Sequence, residues 1–246
     1  MNRSPVNSRY FFRIHWRYWL MLGCVRQPVL RYQLLYSFYS ICINLIIIVL
    51  YPGIVFLSLF NSTNLTDILQ VLPLCAGSFT ASFKYISYYK KLELVRELEQ
   101  VFSNLDARIQ LAEDRKYFAD IQRRTDFIMN ASRGMCTFFF AVTLMSFAAS
   151  IGERRLAFEI AMPFFDYRAS TTAYIAAVGI ELGLLVFDLL QALVNDTFPA
   201  VALCVLSDHT HLLGERLARI GHSSEDVRAN IAELQRCIID HQYLYR

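Results

Sequence analysis

From Leu34 to Phe60 the chain reads LLYSFYSICINLIIIVLYPGIVFLSLF, without one charged side chain. A helix rises ~1.5 Å per residue, so about 20 such residues cross the hydrocarbon core of a bilayer. Lipid offers no partner to a free backbone amide or carbonyl, so a run of this kind is expected as a spanning helix. A soluble fold would need a large partner to hide it. Composition agrees: the chain is 55% hydrophobic and only 18% charged, against roughly a quarter charged in ordinary soluble domains.

Three more apolar stretches follow. One runs over about 68–89, with Lys84 near its end. One covers about 127–151, around CTFFFAVTLMSFAAS. The last covers about 171–206 and carries Glu181, Asp188 and Asp196. The expected fold class is all-α, a polytopic transmembrane helix bundle with spans at about 34–60, 68–89, 127–151 and 171–206. The remaining segments, 1–33, 90–126 and 207–246, are expected in the cytoplasm. The first apolar run starts too far into the chain, and lacks the small-residue cleavage site, for a removed signal peptide.

Flanking charge sets the orientation. Arg3, Arg9, Arg13, Arg17, Arg26 and Arg31 precede the first span, with no acidic residue among them. The loop Asn61 to Asp67 has no Lys or Arg. The next loop holds Lys90, Lys91, Arg96, Arg108, Arg115, Lys116, Arg123 and Arg124. The N-terminus and this second loop are therefore expected inside, and the first loop outside. Asn61-Ser62-Thr63 and Asn64-Leu65-Thr66 are glycosylation sequons in that outer loop. Such triplets also begin by chance at Asn2, Asn130 and Asn195, so Asn61 and Asn64 are candidates by position.

Outside the spans, Leu92, Val95, Leu98, Val101, Phe102 and Leu105 recur at three- and four-residue spacing, an amphipathic helix that prolongs the second span. A helix through Asp114 to Arg124 is expected to lead into the third span. Ser224 reads as a cap before a last helix with Val227, Ile231, Leu234 and Ile238 on one face. That helix reaches the last residue without Gly, Pro or a polar tail, which reads as the front part of a longer protein.

The chemistry-bearing residues are few. Cys24, Cys42, Cys75, Cys136, Cys204 and Cys237 are scattered without a C-x-x-C pair and read as buried free thiols. Asp208, His209 and His211 form D-H-T-H, but no second ligand cluster accompanies them and residues two apart do not share a helix face. No hydrolase, zinc-protease or phosphate-loop motif occurs, so no enzyme, catalytic residue, metal or cofactor is expected. No dense basic stripe suggests nucleic acid. A mid-span Asp costs roughly 3 kcal/mol on insertion scales, so Glu181, Asp188 and Asp196 should avoid lipid. Two readings stay open for them: a polar cavity or ion path, or acids satisfied by neighbouring helices.

The order of features resembles the insect odorant receptor family over essentially the whole chain. The Arg- and aromatic-rich opening with Trp19-Leu20-Met21-Leu22-Gly23 is similar to the family's N-terminal region. Phe83-Lys84 running into KKLELVRELEQVFSNLD resembles its long cytoplasmic helix. Leu156-Ala157-Phe158 through Met162-Pro163-Phe164-Phe165-Asp166, leading to Tyr174, resembles its Pro-containing outer loop. Asp196 followed by LSDHTHLLGERL resembles its descent into the cytoplasm.

The resemblance implies a seven-helix receptor with a cytoplasmic N-terminus, of which four spans are present here. It implies assembly with a co-receptor as a hetero-tetramer that forms a ligand-gated cation channel, in the plasma membrane of sensory neurons and surrounded by lipid. Small volatile hydrophobic odorants would bind in the outer half of the bundle. The positions that carry this over are Cys75 and Phe79 on the second span, Met145, Ser146 and Ala149 on the third, and Tyr174 and Val178 on the fourth. The related gustatory receptors share the architecture, and a complete four-span membrane scaffold is the reading from a different class.

Overall fold

The computed structural model describes residues 7–25, 32–61, 64–109, 114–158, 166–221 and 227–245. Among them are seven α-helices and no strand: α1 Arg9–Met21, α2 Gln33–Leu45, α3 Tyr51–Asn61, α4 Leu65–Asp106, α5 Asp114–Gly152, α6 Thr171–Arg219 and α7 Val227–Tyr245. The Pro-containing part of the outer loop and the Ser224 cap lie outside the described residues.

A π-helical segment, Ile46–Leu50, joins α2 to α3. Pro52 stands two residues past its end; proline has no amide to give the carbonyl four residues back, and its ring crowds that carbonyl. Widening the preceding turn accommodates both effects. Pro199 does the same to the Asn195 carbonyl in α6, and there the Tyr88 hydroxyl donates to it at 3.3 Å.

Gln33–Phe60, Gln122–Gly152 and Thr171–Arg219 are long and apolar enough to cross a membrane. The chain is thus a helical membrane protein. The stretch at 68–89 lies within α4, which has the length but not the apolar content. Gln70, Ser78, Thr80, Ser82, Lys84 and Ser87 dilute it. The third expected span and the helix before it are one element, α5, and α6 continues past 206 to Arg219.

The chain forms two compact units. Residues 15–91 and 131–196 make one; residues 1–14, 92–130 and 197–246 make the other.

In the first, the end of α1 organises its surroundings. Gly23 takes φ +73°. The Cys24 amide bonds back to the Trp19 carbonyl at 2.8 Å and the Gly23 amide to Leu20 at 3.1 Å, which is a Schellman turn. The carbonyls that a helix end leaves over are taken by hydroxyls. Tyr36 donates to Leu20 at 2.7 Å, Tyr39 to Met21, Tyr85 to Leu22 at 2.7 Å and Ser40 to Gly23 at 2.6 Å. Trp19 and Tyr85 are fully buried there. Farther along, Gln191 donates to the Ala81 carbonyl at 2.8 Å and Lys84 pairs with Asp196 at 2.6 Å.

In the second unit, the start of α1 is capped from another helix. The Asp106 carboxylate accepts the Ser8 amide at 2.6 Å and the Ser8 hydroxyl at 2.9 Å. His209 Nε2 lies 3.4 Å from the same carboxylate. Phe12 stacks on Phe102, and Phe102 on His209, with ring centres 5.9 and 5.7 Å apart. Of the stripe expected from periodicity, Val95, Phe102 and Leu105 are buried and Leu92, Leu98 and Val101 half-buried.

α7 departs from expectation. Val227, Ile231, Leu234 and Ile238 share a face, but that face is exposed, and Cys237 and Asp240 turn inward. The reason is electrostatic: Asp240 is clamped between Arg108 at 2.5 Å and Arg216 at 2.7 Å, and Arg216 also holds Glu233 at 2.7 Å. A carboxylate met by two guanidinium groups can be buried, whereas an unpaired one cannot. All six cysteines are free, and burial pushes the Cys237 thiol up from its usual range.

Two outcomes follow from these contacts. A Cβ at position 23 would sit 2.9 Å from the Ser40 Cα and would force a positive φ on a side-chain-bearing residue. Gly23→Ala should therefore cost about 1–3 kcal/mol, read as a lower melting midpoint of the detergent-solubilised protein. Asp106→Asn removes the charge from the α1 cap and should cost roughly 1.5–3 kcal/mol. It should also expose the N-terminal residues to limited proteolysis before the rest of the chain.

Candidate ligand site

The N-terminal part of α6 holds a carboxylate inside an apolar unit. Glu181 is 1% exposed, and its Oε1 accepts the Phe158 amide at 3.0 Å. Seven residues earlier, on the same helix face, the Tyr174 hydroxyl donates to the Arg155 carbonyl at 3.1 Å. Two side chains of α6 thus tie down the chain that leaves α5. Phe158 in turn meets Phe147 edge-on at 6.1 Å.

Below this tether lies a core of Tyr51, Val55, Val71 and Cys75, with Leu74, Phe158 and Leu184 packed against it. Tyr51 is 2% exposed. Among the described residues, Glu181 Oε2 and the Tyr51 hydroxyl have no hydrogen-bond partner. The two sequence readings of the acidic residues therefore divide. Asp196 is satisfied by Lys84; Glu181 is satisfied at one oxygen only.

The seven candidate contact positions are distributed as follows. Cys75 is buried in the core, and Phe79, one turn on, meets Phe56 edge-on at 5.9 Å. Tyr174 is buried and Val178 half-buried on α6. Met145, Ser146 and Ala149 face outward on α5, Met145 being 72% exposed. The face of α5 that this chain covers is instead Cys136, Phe140, Thr143, Phe147 and Ser150, at three- and four-residue intervals. Periodicity did not single out that face because α5 is apolar all round. Phe147, Phe158, Tyr51 and Glu181 are the residues the sequence reading missed as a group; only Glu181 carried a signal, as an acid inside a span.

The D-H-T-H residues separate. Asp208 pairs with Arg124 at 3.2 Å, His209 joins the Asp106 cap, and His211 is exposed. Asn64 is exposed in the first loop.

These features define a polytopic helical membrane protein in which the segment after α5 is tethered over a mostly apolar core. The family model described as 7tm Odorant receptor matches residues 64–246. Odorant receptor 59a of Drosophila melanogaster is 30% identical over 99% of this chain and 60% of its own length. Odorant receptor 33b of the same fly is 28% identical over 98% of this chain and 62% of its own length. The chain belongs to the odorant receptor family. It spans about three fifths of the length of these curated relatives. No solved structure matches it. The relatives are receptors rather than enzymes, and the matches fall on the odorant branch of the superfamily.

A pair of neighbouring α5 substitutions separates packing from surface. Phe147→Ala deletes a buried ring against Phe158 and should lower stability by about 3 kcal/mol or more. Met145→Ala should stay within about 0.5 kcal/mol. Thermal melts of the two variants in the same detergent make the comparison.

Proposed function

We propose that the chain is an odorant receptor subunit that binds small hydrophobic volatiles. Complete and assembled with a co-receptor as a hetero-tetramer, it gates a cation channel in the plasma membrane of sensory neurons. Membership of the odorant receptor family carries this reading. Odorants contact Cys75, Phe79, Met145, Ser146, Ala149, Tyr174 and Val178 in the outer half of the bundle, and gating follows from tighter binding to the open state.

The same reading keeps four crossings with the N-terminus inside. Hydrogen bonds within one unit support it. Ser8, before the first span, bonds to Asp106, and His209, after the last, lies against the same carboxylate. Groups in such contact lie on one side of a membrane, so an even number of crossings separates each pair. Between Ser8 and Asp106 one crossing is Gln33–Phe60, which leaves α4 as the other. Lys84, the least apolar feature of that crossing, is neutralised by Asp196. The odd parity that a crossing-free α4 requires would break the Ser8–Asp106 bond.

The orientation puts Asn61 and Asn64 outside. Asn64→Gln, alone or with Asn61→Gln, should raise the gel mobility of the cell-expressed protein as glycosidase treatment does. An unchanged band in the double variant, with modification at Asn2 instead, would reverse the topology. For ligand contact, currents are recorded from cells expressing the receptor with its co-receptor across an odorant panel. Phe79→Ala and Met145→Ala should each alter the rank order of responses by more than they alter surface abundance. Unchanged rank orders in both would remove the proposed contacts.

A further inference from the structure

The core below the outer-loop tether has an unusual chemical asymmetry. Its walls are Val55, Val71, Leu74, Leu184 and the ring of Phe158. Tyr51 belongs to this cluster, and Phe158, packed against it, holds Glu181 through its amide; the Tyr51 hydroxyl and Glu181 Oε2 both lack a hydrogen bond among the described residues. Both residues are almost wholly buried. Buried polar atoms left unpaired are costly and uncommon in folded proteins. Here the two come from different helices, α3 and α6, and Phe158 joins them, its amide on Glu181 and its side chain on the Tyr51 cluster. Glu181 cannot rotate away to find water, because its other oxygen is fixed by the Phe158 amide.

We propose that Glu181 and Tyr51 form the polar end of a ligand site selective for compact aliphatic alcohols. The proposal rests on the odorant-binding reading and narrows its ligand class. A hydroxyl is the smallest group that both donates and accepts. It donates its proton to Glu181 Oε2 and accepts from the Tyr51 hydroxyl, while the alkyl chain replaces water against the valines and leucines. An aldehyde, ketone or ester accepts from Tyr51 and leaves the carboxylate unmatched. An ammonium group matches the carboxylate and gives Tyr51 no acceptor. A hydrocarbon matches neither. A site that bonds to a ligand hydroxyl rejects analogues lacking it far more strongly than an apolar pocket rejects a change of one methylene.

The test uses the 246-residue chain in lipid nanodiscs, with thermal unfolding followed by tryptophan fluorescence during titration with 1-hexanol, hexanal and hexane. Hexanol should bind at least about tenfold more tightly than hexanal, and hexane more weakly still. Glu181→Gln and Tyr51→Phe should each erase most of the alcohol preference and leave the hexanal affinity within about twofold. Equal affinities for hexanol and hexanal in the unaltered chain, or an unchanged preference in Tyr51→Phe, would overturn this inference while leaving volatile binding intact. Tyr51→Phe carries the test if Glu181→Gln does not fold. Absence of any stabilisation by all three compounds would instead remove odorant binding by this chain, and the alcohol site with it.

Discussion

A polar atom in a water-poor environment must find its partner inside the protein, and most of this structure can be derived from that demand. The end of α1 shows it most fully. Four successive carbonyls, Leu20 to Gly23, would be left over by a terminating helix, and four hydroxyls from Tyr36, Tyr39, Ser40 and Tyr85 take them. Gly23 makes the turn possible because only a residue without Cβ fits against Ser40 at that φ. The prolines obey the same rule: Pro199 withdraws an amide from Asn195, and Tyr88 supplies a hydroxyl. Other hydroxyl residues of the helices need no such partner, since Thr80, Ser87, Thr143 and Ser150 bond to the carbonyl four residues back on their own helix. Such back-bonding is a known way to carry Ser and Thr through an apolar helix.

Charged groups meet the demand by pairing, and the two units do so to different degrees. In the unit containing α7, carboxylates are built into networks: Asp106 with Ser8 and His209, Asp240 with Arg108 and Arg216. These pairings explain why an amphipathic helix can turn its apolar stripe outward and its acids inward. The mostly apolar unit uses fewer charges. Lys84 and Asp196 cancel one another. Glu181 is bonded at one oxygen and open at the other, a condition that carries a cost in a water-poor interior.

How much of this could be read from residues alone depends on the signal each feature leaves. The helices were legible because backbone in lipid has few options, and the charge bias of the loops gave a consistent orientation. The resemblance to odorant receptors rested on the order of elements, with the tether region Leu156 to Phe158 among the pieces that carried it. The Asp106 cap was not legible, because Ser8 and Asp106 lie 98 residues apart and each looks like an ordinary turn residue. Nor was the burial of Tyr51, since it stands in an uninterrupted apolar run and nothing local distinguishes it from a lipid-facing tyrosine.

The faces of α5 show why hydrophobic periodicity fails in such helices. In water, burial sorts apolar from polar residues around a helix, and the apolar stripe marks the core. In a bilayer the outside is as apolar as the inside, so both faces accept Leu, Phe and Met, and close approach of helices favours small or weakly polar residues instead. On α5 the covered positions Cys136, Thr143 and Ser150 are of that kind, whereas Phe138, Phe139, Leu144 and Met145 are exposed. Met145, Ser146 and Ala149 follow from depth in the span, whereas Phe147 lies on the face that carries the small-residue stripe. On α6 Tyr174 is buried, because a tyrosine at a span end has one polar atom to satisfy, and that atom bonds to the Arg155 carbonyl. In a membrane helix the residues that identify the inward face are therefore the few with something to bond, and Glu181 is the strongest of them here.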